Sequence, residues 1–301
     1  MMKCKHSFLQ FKVAVIAMFL MPLISGAQES TEFFSLSYSQ AAAANFNKSP
    51  GNATIGSLES NLITPTIKLG KNTNINNLLT YKFTNYNFDA AACDAQGYPK
   101  SLTDIQYSLL VRQALNEQWT MYVLPQVTAR SDFEHKFTSG DLFASMSLLA
   151  IRKSKKYEKL EMGYGISYSQ DYTKNTISPL FTISYSTPKF RLEALLPIKA
   201  QFVLTPVQLW EYGLEINLKT AIYRSDMPNP EIKYIRTINV PINFSVARKI
   251  YGMLWAKADA GVLLSRQYDV VDNNFRIMKE QVNTIDPSPY ATIGISLRTK
   301  K

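Results

Sequence analysis

Cysteine and histidine are nearly absent, with 2 of each in 301 residues. So few thiols exclude a disulfide-stapled scaffold, and so few ligands leave nothing from which to build a zinc site. Glycine (12) and proline (14) are too sparse for a collagen-like or low-complexity chain. Charged residues reach only 19% beside 46% hydrophobic ones, which argues against disorder. No apolar run approaches the roughly 20 residues that a membrane-spanning helix needs. Mean hydropathy is close to zero, at −0.12. That average is compatible with a membrane β-barrel, whose polar interior dilutes its apolar exterior.

What is present begins with a three-part leader. Lys3, Lys5, His6 and Lys12 form a basic start, Val13 to Ile24 is uncharged and apolar, and Ser25-Gly26-Ala27 offers small residues for cleavage. Twelve apolar residues span about 18 Å as a helix, short of a roughly 30 Å hydrocarbon core, so the pattern predicts a cleaved secretory signal over 1–27 rather than an anchor. Its three lysines leave with no acid, and the formal charge falls from +10 to +7. One His, His135, and one Cys, Cys93, remain in a mature chain read as a single domain over 28–301. A lone Cys93 has no internal partner and reads as a loop thiol without a role.

From Phe33 to Leu297 the apolar pattern returns to a period of two, the mark of strands with two unlike faces. Trp210, Tyr212, Leu214, Ile216 and Leu218 alternate with Glu211, Gly213, Glu215, Asn217 and Lys219. Met162, Tyr164 and Ile166 alternate with Glu161, Gly163 and Gly165, and Ile293, Ile295 and Leu297 with Thr292, Gly294 and Ser296. Many runs are about 10 to 14 residues, longer than ordinary globular strands and long enough to cross a bilayer when tilted. Tyr81, Trp119, Tyr157, Tyr223, Tyr251 and Tyr290 fall near strand ends, where interfacial girdles are expected. Short connectors alternate with longer ones, the longest over 41–59 and 267–287. The fold expected is all-β: a transmembrane antiparallel up-and-down barrel of about 14 strands. A count of 12, with one hairpin outside the wall, is the alternative.

The polar faces of these strands place twelve charges toward the lumen: Lys68, Lys82, Arg112, Arg130, Glu161, Arg191, Glu193, Glu211, Glu215, Lys219, Lys233 and Arg298. Facing lipid, an Arg or Lys near the midplane would cost about 2 to 4 kcal/mol. A one-residue slip would turn all of them outward, so their pattern also fixes the pairing.

Six short segments stand out: Arg130-Ser131-Asp132-Phe133, Gly140-Asp141-Leu142-Phe143, Gly163-Tyr164-Gly165-Ile166, Ser178-Pro179, Leu195-Leu196-Pro197 and Glu211-Tyr212-Gly213. Together they resemble a family of uncharacterised outer-membrane β-barrels of Gram-negative bacteria, a domain of unknown function. The resemblance spans roughly residues 60 to 299. It implies an outer-membrane barrel, exported through its signal, and brings no catalytic residues with it. The chain departs from common barrel practice in closing on Arg298-Thr299-Lys300-Lys301 rather than an aromatic.

Chemistry-bearing patterns are scarce. No G-x-S-x-G, H-E-x-x-H, phosphate-binding or dinucleotide fingerprint occurs. His135, with Ser131 and Ser139 nearby, is the one candidate for a lipid-acting enzyme at the outer rim, against the plainer reading of a solvated loop His. The basic residues form no concentrated patch with interleaved aromatics, so nucleic acid is not an expected partner. Lys153, Lys155, Lys156, Arg248 and Lys249 fall in short turns and suit lipid head groups. Expected partners are outer-membrane lipids and small solutes in the lumen. No cofactor is expected, and no oligomeric state is specified. A pore or uptake barrel and a structural surface barrel lead; a lipid-acting enzyme or a soluble secreted β-sandwich are the alternatives.

Overall fold

The computed structural model describes residues 32–47, 50–89, 99–134, 136–157, 159–170, 175–225, 231–278 and 283–299. The expected signal over 1–27, Cys93 and His135 lie outside these residues. All seventeen strand segments belong to one sheet. They are β1 (Glu32–Asn45), β2 (Asn52–Ile63), β3 (Ile67–Leu69), β4 (Thr73–Phe88), β5 (Ser101–Ala114), β6 (Trp119–Ser131), β7 (Leu142–Lys153), β8 (Leu160–Ser169) and β9 (Thr176–Ser186). Then follow β10 (Phe190–Leu196), β11 (Lys199–Val207), β12 (Trp210–Asn217), β13 (Lys219–Arg224), β14 (Ile232–Tyr251), β15 (Leu254–Asp272), β16 (Asn283–Ile285) and β17 (Ser288–Arg298).

Three interruptions, between β2 and β3, β12 and β13, and β16 and β17, reduce the seventeen segments to a 14-strand wall. The first falls at Pro65, which has no N–H to give the ladder. Each wall strand pairs antiparallel with the next, and β1 meets β17 from Phe34↔Leu297 to Ala41↔Tyr290, so the sheet closes on itself. Closure removes both sheet edges and excludes the sandwich alternative. The Pro197 hairpin, β10 with β11, is part of the wall, which decides between 14 and 12 strands.

Alternation does what the sequence predicts. Tyr38, Tyr164, Ile166, Ile177, Phe181, Leu214, Phe244 and Ile293 are exposed on the outside, Ile177 to 72%. So broad an apolar exterior suits a hydrocarbon environment. Gly163 and Gly165 on β8 are set by close approach. A Cβ there would sit 2.4 Å from the Ala150 carbonyl oxygen and 1.9 Å from that of Leu148 on β7.

Two expectations are corrected. The connector expected over 41–59 is mostly strand, because β1 runs to Asn45 and β2 starts at Asn52; likewise β15 runs on to Asp272. The inward faces there are apolar (Ala41, Ala44, Ala53, Val270), so the two faces look alike and the period of two disappears from the sequence. Tyr223 and Tyr290 are not girdle residues. Tyr223 is buried in the interior and Tyr290 lines the lumen, whereas Tyr157 and Tyr251 are exposed at the short-turn end.

The short-turn end carries both described termini. At the other end the wall is pinched. The β10–β11 hairpin is short: Leu196 pairs with Phe181, leaving Thr176–Leu180 above it, and Lys199 pairs with Asn217, leaving β13 without a neighbour on that side. β13 crosses the bore instead and meets the end of β6 in a parallel bridge, Arg224 beside Ser131. Ser225 Oγ donates to Asp132 at 2.8 Å, and Arg224 pairs with Asp141 at 3.7 Å. The ring at this end is therefore cut to β1, β2, β4–β6 and β13–β17.

Candidate functional site

The pinched ring holds a dry cluster. Phe46, Tyr86, Leu102, Tyr223, Ile235 and Tyr268 are all buried, with Tyr86 edge-on to Tyr268 at 5.1 Å between centroids. The residue types follow from the small diameter: once β13 leans in, facing side chains touch and exclude water. Ile222 turns away from this cluster and is still fully buried. Behind it, Phe143 of β7 packs on Tyr234 at 6.4 Å. The long outer strands β14 and β15 add a buried Arg236–Asp269 pair. Below the same end, Arg130 and Asp104 pair at 2.6 Å, both side chains largely buried.

Beneath the cluster lies a polar chamber of about 340 Å³. Ser35, Ser37, Ser39, Ser57, Asn61 and Thr292 supply neutral polar groups from β1, β2 and β17. Opposite charges meet across it. Lys219 on β13 reaches Glu59 on β2 at 3.7 Å, and Arg298 on β17 holds Glu211 on β12 at 2.8 Å and Glu32 on β1 at 2.9 Å. Neither β13 and β2 nor β12 and β17 are neighbours in the wall, so these pairs span the bore. Lys199–Glu215 and Lys257–Asp259, each at 3.2 Å, complete the set along the wall. Arg298 also stacks over the Trp255 ring at 5.1 Å. The chamber lining counts five cations (Lys82, Lys199, Lys219, Lys257, Arg298) against four acids (Glu32, Glu59, Glu215, Asp259).

The twelve charges read from the sequence are distributed unevenly. Lys82, Glu215, Lys219 and Arg298 line the chamber, and Glu211 joins through Arg298. Arg130 is buried on Asp104, Glu161 pairs with Lys153 at 3.7 Å, Arg191 with Glu193 at 3.1 Å, and Arg112 lies over the Tyr122 ring at 6.0 Å. These five stand apart from the chamber. Lys68 is exposed on the β3–β4 hairpin, and Lys233 sits half-buried where β14 starts at the outer rim. Glu32, Glu59, Lys199, Lys257 and Asp259 line the chamber and are not among those twelve. Glu59 falls in the connector expected over 41–59, and the Lys257-Ala258-Asp259-Ala260 alternation is the signal for the last two. Among the described residues, no group of three or more His, Cys, Asp or Glu is placed to hold a metal ion.

A closed antiparallel wall, apolar outside and ion-paired inside, defines a transmembrane β-barrel of the outer-membrane kind. The chain belongs to the family described as a domain of unknown function (DUF6268), whose model matches residues 25–298. It is similar in fold to the COG4313 outer membrane channel from Pseudomonas putida F1, with TM-score 0.41 and 9% identity over 92% of this chain and 100% of that one. The NanC porin gives 0.38 and 11% over 88% and 100%, and the TodX monoaromatic hydrocarbon channel 0.37 and 8% over 91% of both. No curated protein matches the chain.

Proposed function

We propose that this protein is a narrow outer-membrane barrel that admits small polar solutes, held closed at its extracellular end. A signal over residues 1–27 carries it to export, and outer-membrane lipids surround the barrel, a reading that the apolar outer face supports. The observation that supports this reading is the stacking of a polar, charge-lined chamber directly beneath a buried apolar cluster. A structural barrel needs no cavity, whereas an uptake barrel needs both a polar compartment and a barrier. The proposal gives the chain no catalytic step and no cofactor.

The test is a planar-bilayer recording of the refolded, heat-modifiable protein. Wild type should conduct weakly and in brief openings. A Tyr86→Ala/Tyr268→Ala variant, which removes two rings from the barrier, should conduct several-fold more. Silence in both, from protein that is demonstrably folded and inserted, would overturn the proposal. That result would support the second reading, a sealed surface barrel, which the dryness of the cluster favours.

A further inference from the structure

Between the chamber and the dry cluster stands Arg266, whose residue surface is completely buried. Its Nη1 donates to Ser288 Oγ at 2.7 Å. Its Nε and Nη2 are buried and have no hydrogen-bond partner among the described residues. The contrast with its peers is sharp: Arg130, Arg224, Arg236 and Arg298, the other arginines with side chains below about a fifth exposed, each hold a carboxylate. Nothing of the kind faces Arg266 among the described ion pairs, although an unpaired buried charge is among the costliest features a fold can carry.

Arg266 lies behind the chamber's upper lining rather than in it. Across the sheet it pairs with Asn239, which lines the chamber, and Leu263 and Tyr290 below it line the same space. Tyr86 is shared by the chamber and the cluster. The two unpartnered atoms are the ones that matter chemically. Nε and Nη2 form the side-on edge of a guanidinium, which donates two parallel hydrogen bonds to a planar carboxylate.

We infer that Arg266 is an anion-binding site that recognises the carboxylate of a small solute entering from the chamber. Ser288 holds one nitrogen so that the side-on edge is presented, and the enclosing side chains part to let the solute reach it. The inference deepens the uptake reading and supplies its solute class: small organic acids rather than neutral or cationic solutes.

Binding can be measured without conduction. Isotope-labelled acetate is titrated into the folded barrel in detergent, at constant ionic strength with chloride as balance, and its NMR relaxation is followed. Wild type should broaden the acetate signal, and Arg266→Gln should abolish the effect. Arg266→Lys, which keeps the charge and loses the bidentate edge, should weaken it about tenfold and stands in if the Gln variant does not fold. Lys68→Gln, on the exposed hairpin, should change nothing. Absence of broadening in wild type, or equal broadening in Arg266→Gln or Arg266→Lys, overturns the site. Inorganic phosphate that competes as well as acetate overturns the carboxylate assignment. Acetate binding in a barrel that never conducts would retain the site and remove the uptake reading; conduction without acetate binding would do the reverse.

Discussion

At the narrow end, Tyr86, Tyr223 and Tyr268 meet in a bore narrowed by β13, where Tyr86 and Tyr223 also border the chamber below. A few residues lower on the same strands, Lys219, Thr237 and Asn239 face an open polar chamber crossed by Glu59–Lys219 and Glu211–Arg298. Both ends use the same wall and the same parity. What differs is diameter. Where the β6–β13 shortcut brings facing walls together, side chains pack and water leaves; where the wall keeps its full circumference, a polar cavity remains and its lysines keep part of their surface exposed. Charged groups follow this division. Arg130–Asp104 and Arg236–Asp269 at the narrow end are buried, whereas Lys199, Lys219 and Lys257 in the chamber keep a third or more of their side-chain surface exposed.

The comparison can be broken at several points. The largest effect is expected at Asp104→Ala, which leaves the buried Arg130 guanidinium without its carboxylate and costs about 3 to 5 kcal/mol; a urea titration of the folded barrel in lipid reads it. Tyr268→Ala should cost a similar or slightly smaller amount, about 3 to 5 kcal/mol, by opening a cavity in the dry cluster, and it should also raise conductance. A loss near zero would show that the cluster is not packed. Next comes the shared wall: Ile293→Arg puts a charge on the lipid face and should cost about 2 to 4 kcal/mol if it lies near the midplane. The smallest effect belongs to the chamber. Lys219→Met removes a half-exposed partner of Glu59 and should change stability by less than about 1 kcal/mol. Its signature is a shift of ion selectivity toward cations in a reversal-potential measurement. A large stability loss there would mean that the chamber is as dry as the cluster above it.

Much of the wall was legible because lipid outside and water inside impose opposite costs on alternate residues. That is why the alternations over Glu161–Ile166, Trp210–Lys219 and Thr292–Leu297 fall on β8, on β12 with β13, and on β17. Legibility failed where that contrast failed. Around Ala41–Ala53 and beyond Arg266 the inward face is as apolar as the outward one, and long strands there look like loops in the sequence. The lumen charges were half-legible. Parity says that Lys82, Glu161 and Lys219 point inward, but it does not say which lie across from each other, and only some meet in the chamber.

Arg266 marks the boundary. Counting by twos from Trp255, Lys257, Asp259 and Gly261 places it outside. A register shift between Val240 and Pro241, opposite Ser265 and Leu263, adds a residue to β15 and turns Arg266 inward opposite Asn239. The sequence alone determined the class of fold, the two-faced wall and the scarcity of catalytic groups, because these follow from composition and a local period of two. The pinch at β13, the separation of cluster from chamber and the orientation of Arg266 were decided only by the tertiary structure. They depend on where strands stop pairing and where a bulge shifts the register, and neither leaves a trace in the pattern of one strand.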